Sequence, residues 1–190
     1  MRIIGGRLRG VSLAGLRGGD AQAHLRPTGD RVRESIFNLL AHGGYGDPPP
    51  PMGCRVLDLF AGTGALGLEA LSRGAETACF VESGKKALSI LRSNIKRLDL
   101  AAVTQVLVRD ATRIGDNPTS GYDMAFLDPP YRTDLGERAL QAAHAGGWLK
   151  EGALVLWEHD GSASPLPNWG VLDERRYGET TLSILRAPAQ

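Results

Sequence analysis

Residues 55–82 read RVLDLFAGTGALGLEALSRGAETACFVE, and this stretch decides the fold. Arg55 to Phe60 is a short apolar run that predicts a strand, Ala65 to Arg73 predicts a helix, and Thr77 to Glu82 predicts a second strand. Between strand and helix lies Asp58-Leu59-Phe60-Ala61-Gly62-Thr63-Gly64, where bare glycine backbone lets a ligand approach closely. The alternation continues with helix Lys85 to Asp99, strand Val103 to Arg109, strand Tyr122 to Leu127, a helix from about Asp134 to His144, and strand Ala153 to Glu158. Near-continuous apolar strands alternating with helices imply a parallel sheet covered on both faces. The ending differs: Val171 to Tyr177 and Thr180 to Leu185 flank Gly178-Glu179, which predicts an antiparallel hairpin with a type II′ turn.

Residues 1–40 hold seven arginines against Asp20, Asp30 and Glu34, although the net charge of the chain is only +1. A basic arm on a nearly neutral body suits contact with phosphate, and it also describes an ordinary solvated surface. Met1 to Ile4 and Leu8 to Leu13 flank Gly5-Gly6-Arg7, predicting a small hairpin with Arg2, Arg7 and Arg9 exposed. Arg17 to Arg26 reads as mobile. Thr28 or Asp30 then caps a helix whose Val32, Ile36, Leu39 and Leu40 recur at helical spacing, leaving Arg31, Arg33 and Glu34 on its surface. Gly43 to Gly53, with Pro48 to Pro51, cannot continue a helix and reads as a connector between arm and body.

At 190 residues, 42% hydrophobic and 23% charged, the chain has the composition of one globular domain and not of a disordered polymer. Met1 to Leu16 has no apolar run of signal-peptide length, and no later run reaches the length of a membrane helix, so a cytoplasmic protein is expected. Cys54 and Cys79 form no Cys-x-x-Cys pair and read as reduced core thiols, with no metal implied.

Gly62, Gly64 and Gly67 spell GxGxxG, and Glu82 follows at the distance of a dinucleotide fingerprint, so a nucleotide-linked dehydrogenase competes with an S-adenosylmethionine-dependent methyltransferase. Glu82 fits both, because its paired oxygens match a ribose diol. Asp58 favours the second: a carboxylate beside the turn suits the ammonium of a methionine moiety and repels a pyrophosphate, although it could also be a helix-capping carboxylate. Asp110 could accept from an adenine amino group or cap a short helix at Ala111. The cofactor-binding set expected is Asp58, Phe60, Ala61, Gly62, Gly64, Glu82, Asp110 and Ala111; Phe60 and Val81 also read as core.

Asp128-Pro129-Pro130-Tyr131 follows the fourth strand, and its two prolines fix the backbone. An amine on a base is a poor nucleophile because its lone pair is delocalised into the ring. An Asp128 oxygen and the Pro129 carbonyl can accept its two N–H bonds and aim the nitrogen for in-line displacement, while Tyr131 stacks on the base. The catalytic set expected is therefore Asp128, Pro129, Pro130 and Tyr131. No Pro-Cys pair follows that strand, so thiolate chemistry is not supported. The organisation expected is one methyltransferase domain, with an arm and helix over residues 1–50 and a cofactor-binding, catalytic body over residues 51–190.

With these parts in place the chain resembles the bacterial small-subunit ribosomal RNA guanine-N2 methyltransferases of the RsmD family. The likeness rests on Met1-Arg2-Ile3-Ile4-Gly5-Gly6, Arg26-Pro27-Thr28, Arg31-Val32-Arg33-Glu34, Phe37-Asn38, the Asp58 to Gly64 turn, Asp128 to Tyr131 and Tyr177-Gly178. It implies an α/β class I (Rossmann-like) methyltransferase fold, with a mostly parallel seven-stranded sheet, a C-terminal antiparallel hairpin, and an N-terminal β-hairpin and helix. It also implies S-adenosylmethionine as donor, the 2-amino group of a guanine in small-subunit (16S) ribosomal RNA as acceptor, and a monomer that meets this RNA free or in an assembled subunit. Gly29 departs from the polar residue the family usually places there. Arg2, Arg7, Arg9, Arg26, Arg31 and Arg33 are the RNA-binding candidates. Rival readings are an amino methyltransferase acting on DNA adenine or protein glutamine, and a noncatalytic RNA-binding protein of the same fold.

Overall fold

The computed structural model describes residues 1–15, 29–161 and 166–189. Seven strands, β1 (Arg55–Leu59), β2 (Thr77–Glu82), β3 (Thr104–Val108), β4 (Tyr122–Leu127), β5 (Leu149–His159), β6 (Gly170–Tyr177) and β7 (Thr180–Arg186), form one sheet in the order β3-β2-β1-β4-β5-β7-β6. The first five are parallel, while β7 runs antiparallel to β5 and β6. The expected class I architecture is thus present, and φ is positive (66°) at Gly178 of the β6–β7 turn, as a II′ turn requires at its first central residue.

Among the described residues four α-helices cover the sheet: α1 (Asp30–His42), α2 (Ala65–Ser72), α3 (Lys85–Arg97) and α4 (Leu135–Ala145). Alternation along the strands divides the core in two. Val56, Phe80 and Met124 join Ile36 and Phe37 of α1, Leu68 of α2 and Leu91 of α3, whereas Leu57, Val81 and Leu127 join Ala139 and Leu140 of α4. Ile3 and Leu13 of the amino-terminal segment lie in the first cluster, so this segment packs on the helices and does not stand apart from the body. Its two sides pair as a short antiparallel hairpin, with an Arg2–Ser12 bridge and backbone bonds from the N–H groups of Ile3 to Val11 (3.0 Å), Gly10 to Ile3 (2.9 Å) and Leu13 to Met1 (3.0 Å), and a 3-10 turn over Gly6–Leu8 replaces the tight turn expected. Gly6 is held to glycine there, because a Cβ would strike the Ser72 carbonyl.

Buried polar side chains fasten the arm. The Glu69 carboxylate, wholly buried on α2, accepts from the N–H of Ile4 (2.8 Å), the N–H of Gly5 (2.7 Å) and Nε of Arg73 (2.8 Å). Ser72 Oγ donates to the Gly5 carbonyl (2.6 Å) and accepts from the Leu8 N–H (3.0 Å). On α3, buried Asn94 accepts from the Ala14 N–H (2.8 Å) and donates to the carbonyls of Ala14 (3.1 Å) and Thr63 (3.0 Å), so one amide ties the arm to the glycine turn.

Three expectations are corrected here. Arg33 is fully buried, its guanidinium donating to the Arg2 carbonyl (2.6 Å) and to Asp30 (3.0 Å), because it lies on the face of α1 that also carries Ile36, Phe37 and Leu40. The α1 N-cap is Gly29 without a side-chain cap, Asp30 being the first helical residue; Thr28, Arg26 and the rest of the stretch expected to be mobile lie outside the described residues. Cys79 is a buried free thiol, whereas Cys54 is only half-buried. Because Glu69 leaves two backbone donors and a guanidinium unpaired when it is lost, Glu69→Ala should destabilise the fold by about 3 kcal/mol. Urea unfolding measures this, and a loss well under about 1 kcal/mol would show that the arm is held by its apolar residues instead.

Candidate active site

Strand register assembles the site. Leu59, the last residue of β1, pairs with Val81 on one side and Leu127 on the other, and Leu127 pairs with Trp157. Parallel neighbours lie roughly 4.8 Å apart, so Phe60, Glu82 and Asp128 leave the sheet side by side. Strand order reverses between β1 and β4, which opens the crevice in which open α/β sheets bind ligands.

The turn after β1 has an unusual backbone. Phe60, Gly62 and Gly64 all have positive φ (60°, 55° and 82°). In a bulky residue such as Phe60 this conformation costs on the order of 1–3 kcal/mol, and such strain collects at ligand clamps. A Cβ on Gly64 would strike Leu91, so close packing of the turn on α3 also demands glycine. Glu82 organises the rim: one oxygen accepts from the Gly62 N–H (2.7 Å), the other from the N–H groups of Ser83 (2.8 Å) and Gly84 (2.6 Å). A carboxylate has about four acceptor positions, and with three of them taken this half-buried group keeps room for one further donor, on the oxygen that meets Gly62.

Asp58 lies below the rim instead of on it. It is 2% exposed, accepts from the Gly67 N–H in the first turn of α2 (3.0 Å), and is pushed up to about 7 by burial, with nearby Glu82 adding to the rise and the Gly67 bond opposing it. Asp110 adopts the capping role: its Oδ1 accepts from both the N–H (2.9 Å) and the hydroxyl (2.8 Å) of Thr112, with Ala111 buried behind it. Those bonds hold its carboxyl below the usual range. The carboxylate stays exposed beside the end of β3, where it can also face a ligand.

In the Asp128–Tyr131 segment Pro129 is buried, Asp128, Pro130 and Tyr131 are half-buried, and the Thr133 hydroxyl donates to the Pro130 carbonyl (2.7 Å). The Tyr131 hydroxyl donates to Glu158 (2.9 Å) at the end of β5 and shares a bond with the Thr180 hydroxyl (2.7 Å) at the start of β7. Burial and the two nearby carboxylates push this phenol up to about 12, so it remains a proton donor at neutral pH. Its ring direction is therefore set jointly by the end of β5 and the start of β7. Sequence reasoning missed Glu158, Thr180 and Asn94: none belongs to a motif, and the signal is a polar side chain at the end of the apolar run of β5 for Glu158 and on the apolar face of α3 for Asn94. Among the RNA candidates Arg2, Arg7, Arg9 and Arg31 are exposed, and Arg2 approaches Asp30 (3.9 Å).

Residues 1–186 match the family described as Conserved hypothetical protein 95. Ribosomal RNA small subunit methyltransferase D of Escherichia coli K12 is 34% identical over 193 residues, covering 100% of this chain and 91% of that protein. The protein of the same name from Haemophilus influenzae is 35% identical over 184 residues, covering 94% and 89%. The solved structure of yhhF from Escherichia coli superposes with a TM-score of 0.82 at 34% identity, covering 100% of this chain and 99% of that one.

The buried Asp58 carboxyl makes stability depend on pH. Its folded value, about 7, lies above its ordinary 3.8, so the fold favours the neutral acid. The stability it contributes is present in acid and is lost as pH rises from about 4 through about 7. Urea midpoints should therefore fall across that window in the wild type relative to Asp58→Asn, and parallel curves for the two proteins would contradict the assignment.

Proposed function

The chain belongs to the small-subunit ribosomal RNA methyltransferase family matched above, and from that premise we propose that it transfers a methyl group from S-adenosylmethionine to the 2-amino group of a guanine in small-subunit ribosomal RNA. The observation that carries the reading is the register that sets Asp128 beside the glycine turn.

The residues present fit such a donor. Phe60, Ala61, Gly62 and Gly64 would form its backbone cradle, Glu82 keeps one acceptor position for a ribose hydroxyl and would take the second by giving up one of its backbone bonds, and Asp110 with Ala111 stands where an adenine edge would lie. Asp58 would serve the methionine ammonium: a cation at the rim stabilises its ionised form, and the Gly67 N–H already supports that charge. When bound, the donor supplies a methyl group activated by its sulfonium.

The protein's part in the transfer is positioning. Asp128 and the Pro129 carbonyl accept the two N–H bonds of the amine, favouring the pyramidal nitrogen whose lone pair can attack in line. The two prolines hold these acceptors still, and Thr133 commits the Pro130 carbonyl to the loop, away from the amine. The Tyr131 ring, steadied by Glu158 and Thr180, stacks on the flipped base. The proton released from nitrogen passes to Asp128 or to water. Arg7, Arg9 and Arg31 are the exposed arm and α1 cations proposed to meet phosphate, with Arg2 partly engaged by Asp30; Arg33 serves the fold. A protein acting on ribosomal RNA would work in the cytoplasm, and we propose that it does so as a monomer.

Asp128→Ala should abolish transfer to unmethylated small subunits, a loss of at least about 1,000-fold, while S-adenosylhomocysteine affinity by calorimetry changes little. Substantial turnover in that variant would remove Asp128 from the chemistry, and lost affinity would reassign it to the cradle.

A further inference from the structure

The outer face of α3 carries a charge pattern that the fold uses only at Arg97 and the catalytic machinery does not use. The helix reads KKALSILRSNIKR over residues 85–97, with five basic residues and no acidic one. Ala87, Leu88, Leu91, Asn94 and Ile95 turn inward, while Lys85, Arg92, Lys96 and Arg97 are exposed, with Ser89 and Ser93 exposed between them. Several exposed cations elsewhere sit against carboxylates, as in Arg138–Asp134 (3.5 Å), Lys150–Asp123 (2.6 Å) and Arg175–Asp173 (3.0 Å). Among the described residues none of those four α3 cations has a carboxylate within ion-pairing distance. Lys85 moreover stands in the first helical turn, where the dipole disfavours a cation by roughly 0.3–1 kcal/mol. Lys96 and Arg97 stand in the last turn, where the dipole favours them, so helix stability accounts for that end of the row and leaves Lys85 and Arg92 unexplained.

The placement of this face is equally specific. Its N-terminal end follows Gly84, whose N–H donates to Glu82 on the cradle rim. Its C-terminal end meets the arm, where Arg97 donates to the Ser12 carbonyl (3.5 Å) and Asn94 grips Ala14. Thirteen residues extend about 20 Å, enough to follow several phosphates from the cradle toward the arm.

We infer that the exposed face of α3 is a docking surface for an RNA phosphate backbone, with Arg92 and Lys96 as its principal contacts. The inference rests on the proposed action on ribosomal RNA and names a surface which that reading does not supply. Guanidinium and ammonium groups one helical turn apart neutralise successive phosphates, and the serine hydroxyls between them add hydrogen bonds. Such contacts hold the RNA without reading its sequence.

The test is the Arg92→Gln/Lys96→Gln double variant, with Arg138→Gln on α4 as control, assayed on unmethylated small ribosomal subunits. The slope of log affinity against log salt should shrink by about 1.5 in the double variant. KM for subunits should rise roughly tenfold at low salt, with kcat and S-adenosylhomocysteine affinity unchanged. An unchanged slope, or an equal loss in Arg138→Gln, overturns the surface. The binding slope is read whether or not methyl appears on RNA. Absence of transfer by the wild type would therefore count against the proposed function, while the slope alone decides the role of α3.

Discussion

Parallel register at the carboxyl ends of three adjacent strands is the constraint on which the rest depends. Because Leu59 lies between Val81 and Leu127, the residues that follow each strand are delivered to one crevice without any long connection reaching across. Register in a two-sided sheet is strongly specified, since a slip of one residue exchanges the two core faces. Val56 and Leu57 belong to different clusters, so a slip would drive each toward the wrong helices. Placement of the glycine turn and the Asp128 segment is thus enforced by the whole core.

Much of this was legible in the sequence because parallel strands buried on both faces are continuous apolar runs. β2 and β4 begin and end where those runs do, and the Gly178 turn declared its hairpin. Arg33 was misread for an equally physical reason: periodicity assigns a face from apolar residues, and an arginine satisfied by a distant carbonyl and a neighbouring aspartate can occupy the apolar face. Asp58 was expected at the rim because sequence gives order along a strand but not depth. The burial that raises its carboxyl to about 7 comes from packing against α2 and Phe80, whose ring crowds Gly67.

The arm illustrates a second limit. Composition suggested a basic appendage behind a proline-rich connector, yet Glu69, Ser72 and Asn94 hold its backbone through hydrogen bonds that pair residues 64 or more positions apart. Nothing local in the sequence marks such partners. Their consequence is that arm and catalytic crevice share structure, because the Asn94 amide serves Ala14 and Thr63 together.

The central claim is that this crevice methylates the exocyclic amine of a guanine in small-subunit ribosomal RNA. The most direct measurement is nucleoside mass spectrometry of that RNA after incubation of unmethylated small subunits with the protein and isotopically labelled S-adenosylmethionine. The account requires labelled N2-methylguanosine at a single position. Label confined to adenosine, to a ring carbon or to ribosomal protein would contradict it.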